Sequence, residues 1–240
     1  MKEISIVIPI LNESENIKLL VPEISKNIQK LKIKKYEIIL IDDNSKDQIE
    51  TVVKNLKKEI KSLKLFLRKK KDKDLSKSCI LGFEKSKYKN ILVMDGDFQH
   101  HPKYLENLIK NFNKSSCDIV VGARDLTSTK KTKLSIFRLG SSFIFTTLLN
   151  ITLGKKTSDP LTGFFLFKKE IYKKNRKKLF AKGYKILSDL IYSSKEKLNI
   201  IDVEINFGNR SKGKSKMSLK ILIILMFFVA QKFKNKIFNG

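Results

Sequence analysis

Cysteine is scarce in this chain, with only Cys79 and Cys117 present. Two thiols exclude a disulfide-framed fold and make a reducing compartment the default. Arginine is nearly as thin. The 51 basic residues include only five arginines, Arg68, Arg124, Arg138, Arg176 and Arg210. No uninterrupted apolar run reaches the ~20 residues that a bilayer-spanning helix needs. Met1 to Pro9 lacks the long apolar region of a signal peptide and carries Glu3, so it reads as a cytosolic start. Arg68 to Lys73, the densest basic block, has no interleaved aromatic on which a base could stack, and it reads as a loop.

The 240 residues suit one large domain or two small ones, and 41% apolar content is enough for a real core. The net charge is +27. Lysine is spread along the whole length, beside an excess of Ile and Asn, so most of it reads as solvated surface in a biased composition. Such a field still attracts anionic headgroups, phosphates or nucleic acid. Against that background an arginine stands out, because its planar fork grips phosphate in a way lysine cannot copy.

The first half alternates short Ile/Val-rich runs with amphipathic stretches. Ile4–Ile10, Glu37–Ile41, Leu63–Leu67, Ile91–Met94 and Asp118–Val121 read as strands. Glu15–Lys30, Asp47–Lys61, Asp74–Lys87 and Pro102–Asn113 read as helices, the last opened by a proline suited to a first turn. This alternation predicts an α/β fold with a doubly wound, mostly parallel sheet. Ligands in such sheets bind beyond the carboxyl ends of the strands. The polar clusters fall there: Asn12-Glu13, Asp42-Asp43, and Asp95 with Asp97.

The stretch VMDGDFQHHP places two carboxylates one residue apart after an apolar run. Residues two apart in extended chain point the same way, so Asp95 and Asp97 are expected to converge, with Gln99 following after a turn. Two carboxylates and an amide oxygen form a hard-oxygen half-shell for Mg²⁺ or Mn²⁺, completed by phosphate and water. Gly96 allows close backbone approach. His100 and His101 read as exposed residues opening a helix, with metal ligation as the alternative. Asp42 and Asp43 suit hydrogen bonds from a ribose or base edge, or else a helix cap.

The second half is different. Leu139–Leu153 and Leu222–Ala230 are apolar but short, and Lys220, Lys232, Lys234 and Lys236 flank the second. They read as in-plane or half-inserted helices whose lysines reach lipid headgroups, with core helices as the alternative.

Over nearly its whole length the sequence resembles the family 2 inverting glycosyltransferases of the GT-A fold, and within them the polyprenol-phosphate (dolichol-phosphate) mannosyltransferase branch. IVIPILNESENI resembles the opening nucleotide-binding segment and implies Pro9, Leu11 and Glu13 as nucleotide contacts. LIDDNSKD does the same for Asp42 and Asp43. VMDGDFQHHP resembles the metal segment, with Asp95, Asp97 and Gln99 as ligands of Mg²⁺ or Mn²⁺. VVGAR implies a phosphate-facing Arg124. SIFRLGSSF implies Arg138 and Ser142 at an acceptor phosphate. SDPLTGF, KGYKILSDL and FGNRSKGKSKMS follow in the family's order, and imply Lys185, Arg210 and Lys216 at the donor phosphates. Arg68 and Arg176 are left to surface ion pairs.

The resemblance implies a GT-A domain over 1–218, including a membrane-facing helix near 135–153, and a C-terminal interface helix over 219–240. It implies transfer of a hexose, mannose from GDP-mannose first, to a polyprenol monophosphate such as dolichyl or undecaprenyl phosphate. Catalysis would involve Asp97, Arg124 and Arg138. The implied setting is the cytoplasmic face of an anionic membrane, as a peripheral or monotopic protein, with room for a membrane-protein partner. The alternatives are transfer of glucose to undecaprenyl phosphate, or extension of a glycan, for which Asp159 or Asp189 is the candidate base. A non-catalytic basic membrane or nucleic-acid binder is the reading from another class. The intact Asp95, Asp97 and Gln99, and the lack of stacking aromatics, speak against nucleic acid as partner.

Overall fold

Isoleucine and valine make the first strand, β1 (Glu3–Ile10), and it is buried on both faces from Ile4 onward. That is the pattern of a strand covered by helices on either side. The computed structural model describes residues 1–69, 72–114, 116–124, 146–183, 185–206 and 219–238, and in the last stretch the side chains of 223–234. Arg138, Ser142, Arg210, Lys216 and the first part of the expected 135–153 helix lie outside the described residues.

After β1 come α1 (Ser14–Lys30), β2 (Lys35–Asp42), α2 (Ile49–Glu59), β3 (Leu63–Leu67), α3 (Leu75–Lys85), β4 (Asn90–Val93), α4 (Leu105–Lys114) and β5 (Ile119–Arg124). These match the periodicity of the sequence to within a few residues. β3, β2, β1 and β4 pair in parallel. One side chain set of β1, Ile4, Ile6, Ile8 and Ile10, packs with Ile17 and Leu20 of α1, Val53 of α2 and Leu105 of α4. Val7 on the opposite face packs with Cys79 and Phe83 of α3. Both thiols are buried and free.

Beyond β5 the chain departs from simple alternation. The residues 146–153 form a helix, α5. They are followed by β6 (Phe165–Lys168), α6 (Lys169–Asn175), α7 (Ile186–Ser193), β7 (Ile200–Ile205) and α8 (Leu219–Phe238). β6 inserts antiparallel between β4 and β5, and β7 pairs parallel to β5 at the edge. The seven-stranded order is β3-β2-β1-β4-β6-β5-β7. The sequence pattern had not separated β6 and β7 from their surroundings. Phe164 to Phe167 is apolar without alternation because β6 is central and buried on both faces.

The C-terminal helix is half core and half surface. Leu225, Phe228 and Val229 of α8 pack with Leu149, Leu153 and Leu161. Met226 and Phe227 point outward, each 65% exposed, as does Ile151 of α5 at 77%. One of the lysines expected to reach outward does the opposite. Lys232 is buried at 3% exposure, with its ammonium 2.7 Å from Asp189 Oδ1 and 3.0 Å from the Lys178 carbonyl. A desolvated ammonium has to be paired, and Asp189 of α7 supplies the charge.

Candidate active site

The strand ends carry most of the polar residues that matter. β2 ends at Asp42, whose carboxylate accepts from the Ser45 amide N–H at 3.1 Å and from the Ser45 hydroxyl. Ser45 Oγ in turn accepts from the Asn12 amide N–H at 2.7 Å, and Asn12 Oδ1 accepts from the Lys46 amide N–H at 2.8 Å. Asn12 is held at φ 57°, a left-handed geometry that asparagine tolerates. The loops after β1 and β2 are thus laced together. Pro9 is buried within β1, while Leu11 and Glu13 are half-exposed at the lip of this lacing. Glu13 accepts from the Asn16 side chain at 2.6 Å.

Asp43 sits one residue on and is buried. Its Oδ1 accepts from Arg68 Nε at 2.7 Å, with Arg68 Nη2 at 2.6 Å, and its Oδ2 accepts from the Asp74 amide N–H at 2.6 Å. Arg68 is therefore a buried fork and not the surface ion pair expected for it. It begins the loop after β3, where the parallel pairing with β2 brings it beside Asp43. Burial pushes the Asp43 carboxyl above the usual carboxylate range, against the pull of the Asp74 amide and Arg68.

The acidic turn follows β4. The strand stops at Val93, and Gly96 and Asp97 already lie in a turn that continues into Phe98 at φ 62°. Extended-chain alternation therefore does not reach the two carboxylates. The turn and its neighbours place them instead. Asp97 is buried and accepts from the Gln99 amide N–H at 3.1 Å, and Gln99 is buried as well. Asp95 is half-exposed, with one oxygen 3.5 Å from His100 Nδ1. His100, expected at the surface, is 1% exposed and stacks on Phe164 with ring centroids 5.2 Å apart. Burial keeps its pKa below the ordinary histidine value, although Asp95 and Asp97 pull upward. His101 stays near the surface, where its Nδ1 accepts from the Lys103 amide N–H at 3.2 Å.

Asp95 also has a neighbour that sequence reasoning missed. A Cβ placed on Gly163 would lie 2.5 Å from Asp95 Oδ1 and 2.7 Å from Oδ2. No real Cβ tolerates that, so the carboxylate occupies the volume that a side chain at 163 would take. SDPLTGF flagged the segment, but only the antiparallel entry of β6 next to β4 shows what its glycine faces.

Arg124 ends β5 and forks onto Asp159, with Nε 2.6 Å from Oδ2 and Nη2 2.9 Å from Oδ1. Burial pushes the Asp159 carboxyl up, but the Arg124 fork outweighs it and holds the carboxyl below its ordinary value, with Lys185 adding to the effect. Burial pulls the Arg124 pKa down, but the Asp159 fork, with a smaller contribution from Asp95, holds it above the ordinary value. Asp95, Asp97, His100, Arg124, Asp159 and Lys185 therefore share one electrostatic neighbourhood. Asp189 does not belong to it in the role of a free carboxylate. It accepts the Phe180 and Ala181 amide N–H groups at 3.0 and 2.8 Å and pairs with Lys232.

Two carboxylates and a carboxamide are oxygen donors of the kind Mg²⁺ and Mn²⁺ prefer. Among the described residues no group of three His, Cys, Asp or Glu side chains is arranged to hold a metal ion. The donor chemistry of Asp95, Asp97 and Gln99 would suit part of a coordination shell, completed by ligand oxygens and water.

A helix-covered, largely parallel sheet with an acidic turn beyond its central strand is the layout of a GT-A glycosyltransferase. This chain belongs to glycosyl transferase family 2, whose model matches residues 5–176. It is 30% identical over 222 residues to the dolichol-phosphate mannosyltransferase of Pyrococcus furiosus, covering 92% of this chain and 60% of that protein. The chain thus spans less than two thirds of that relative's length. The dolichol-phosphate mannosyltransferase of Saccharomyces cerevisiae is 27% identical over 226 residues, 92% of this chain and 83% of its own length. Among solved structures, glucosyl-3-phosphoglycerate synthase from Mycobacterium tuberculosis, in complex with Mn²⁺ and uridine-diphosphate-glucose, superposes with a TM-score of 0.68 at 19% identity. That match covers 97% of this chain and 78% of the other, and it speaks to the fold.

Proposed function

We propose that the protein transfers a hexose, mannose from GDP-mannose, to a polyprenol monophosphate with inversion at the anomeric carbon. The observation that carries this reading is the acidic turn at the end of β4, where Asp95 lies against His100 and Gly163, with Arg124 forked onto Asp159 at the end of β5. The names of the two relatives supply the sugar and the lipid. The nucleotide lies along Pro9, Leu11 and Glu13 with its base end toward Asp42 and Asp43. Asp95, Asp97 and Gln99 hold Mg²⁺ or Mn²⁺. When bound, the cation neutralises the diphosphate and makes it a better leaving group. Lys185, Arg210 and Lys216 face the donor phosphates, while Arg124, Arg138 and Ser142 orient the acceptor phosphate.

An acceptor phosphate is already anionic near neutral pH, so no strong base is required. Catalysis rests on alignment and on stabilising charge in the departing diphosphate. This agrees with the state of the two candidate bases. Asp159 is forked by Arg124 and Asp189 is paired with Lys232, so neither stands ready to take a proton from a hydroxyl.

Among the described residues no helix is long and apolar enough to cross a membrane. The outward Met226, Phe227 and Ile151, with the strongly basic surface, suit a lipid acceptor met at the cytoplasmic face of an anionic bilayer. The decisive assay incubates a radiolabelled panel of sugar nucleotides with membrane lipid extract. Mannolipid formed from GDP-mannose, and lost in Asp97→Ala, is the expected result. Full activity of Asp97→Ala would remove the metal role, and label appearing only in glycan would remove the lipid acceptor.

A further inference from the structure

The segment from Lys178 to Gly183 forms a strap between two parts of the molecule that the proposed reaction uses separately. On one side it is the seat of α8. Phe228 meets Phe180 edge to face at 5.8 Å. A Cβ on Gly183 would lie 3.0 Å from Ile224 Cγ2. Lys232 donates to the Lys178 carbonyl at 3.0 Å and pairs with Asp189, which accepts the Phe180 and Ala181 amides.

On its other side the strap meets the start of α3. The Gly183 amide N–H donates to Asp74 Oδ2 at 2.8 Å, and the Ser76 amide N–H donates back to the Gly183 carbonyl at 2.9 Å. Asp74 caps α3 through Oδ1, which accepts from the Lys77 amide N–H at 3.1 Å, and its own amide N–H donates to Asp43 Oδ2 at 2.6 Å. From Gly183 to Asp43 the links are hydrogen bonds between named atoms, and toward α8 they are the Lys232 bonds together with the apolar contacts of Phe228 and Ile224. The strap is also conformationally tight, with Ala181 at φ 57° and Gly183 at φ 87°, so its path depends on what holds it.

We propose that Lys232 and Ile224 of α8 are positioning residues for the nucleotide pocket. By seating the 178–183 strap they set Asp74, and through Asp74 they set the Asp43 carboxylate. The proposal rests on the reading of Asp43 as a nucleotide contact. On this basis the helix that presents the apolar outer face also tunes the donor site, so that displacing α8 weakens nucleotide binding.

Isothermal titration of GDP with Mn²⁺ into the full chain tests both layers. Asp43→Asn should weaken GDP by about tenfold or more, and Lys232→Met by about fivefold, within the usual range of coupling between sites. Ile224→Ala loosens the same seat without leaving a buried charge unpaired, so it decides the matter if Lys232→Met fails to fold; it too should cost about fivefold. Asp74→Ser keeps an acceptor for the α3 cap but gives up the one for Gly183. In that background Lys232→Met or Ile224→Ala should weaken GDP no further. Wild-type GDP affinity in a folded α8 variant, or losses that simply add to that of Asp74→Ser, overturns the coupling. Wild-type affinity in Asp43→Asn overturns the nucleotide reading beneath it.

Discussion

At the residue scale, what a side chain can do is set by what stands against it. Gly163 matters because it has no Cβ to displace the Asp95 carboxylate. Outer contacts of metal ligands change metal affinity by 10- to 100-fold, so Gly163→Ala should weaken Mn²⁺ binding by about tenfold. Titration of the Mn²⁺ paramagnetic resonance signal measures this apart from turnover, and unchanged affinity would argue against Asp95 as a ligand.

Asp159 offers a pH-dependent case. Its carboxyl is held below its ordinary value in the folded protein. A group depressed in this way stabilises the fold above its unfolded pKa of about 3.9, and the contribution is lost as pH falls through the folded value. Thermal melts should therefore show stability dropping below about pH 4, with a shallower drop in Asp159→Asn. That variant should also be less stable near neutral pH by about 3 kcal/mol, since it leaves the Arg124 charge buried without its fork.

At the scale of elements, α8 belongs to two environments. Its inner face fills a small core with α5. Phe228→Ala should cost about 3 kcal/mol there, seen as early loss of amide protection across α8 in hydrogen exchange. The outer face should tolerate substitution in solution. Met226→Asp with Phe227→Asp is expected to leave the melting temperature within about 4 °C, because exposed sites rarely move stability by more than ~0.5 kcal/mol each. The same pair of changes should weaken retention on lipid vesicles.

At the scale of the whole molecule, the charge of +27 acts as a field. Near an anionic leaflet each lysine contributes on the order of 1 kcal/mol, and salt screens the attraction. The chain should cosediment with vesicles rich in anionic lipid at low salt and release at about 1 M salt, where the screening length falls to roughly 3 Å. Retention that ignores salt would instead point to deep insertion of the apolar face.

The periodicity of Ile, Val and polar residues was enough to locate the first five strands and four helices, because each of those elements buries a face defined by its own spacing. The resemblance of VMDGDFQHHP, LIDDNSKD and VVGAR to family segments was enough to name candidate site residues, because each segment carries its own order along the chain. The partners of those residues were not legible. His100 looked exposed, Arg68 looked like a surface residue, and Lys232 looked like a headgroup contact. Each turned inward because an element distant in sequence brought an aromatic ring or a carboxylate against it: Phe164, Asp43 and Asp189 respectively. Sequence by itself determined the class of sheet and the family, because both follow from residue type, spacing and order along the chain. Only the tertiary structure decided which charges are paired and which face of α8 is buried, because pairing depends on distances between segments that spacing does not encode.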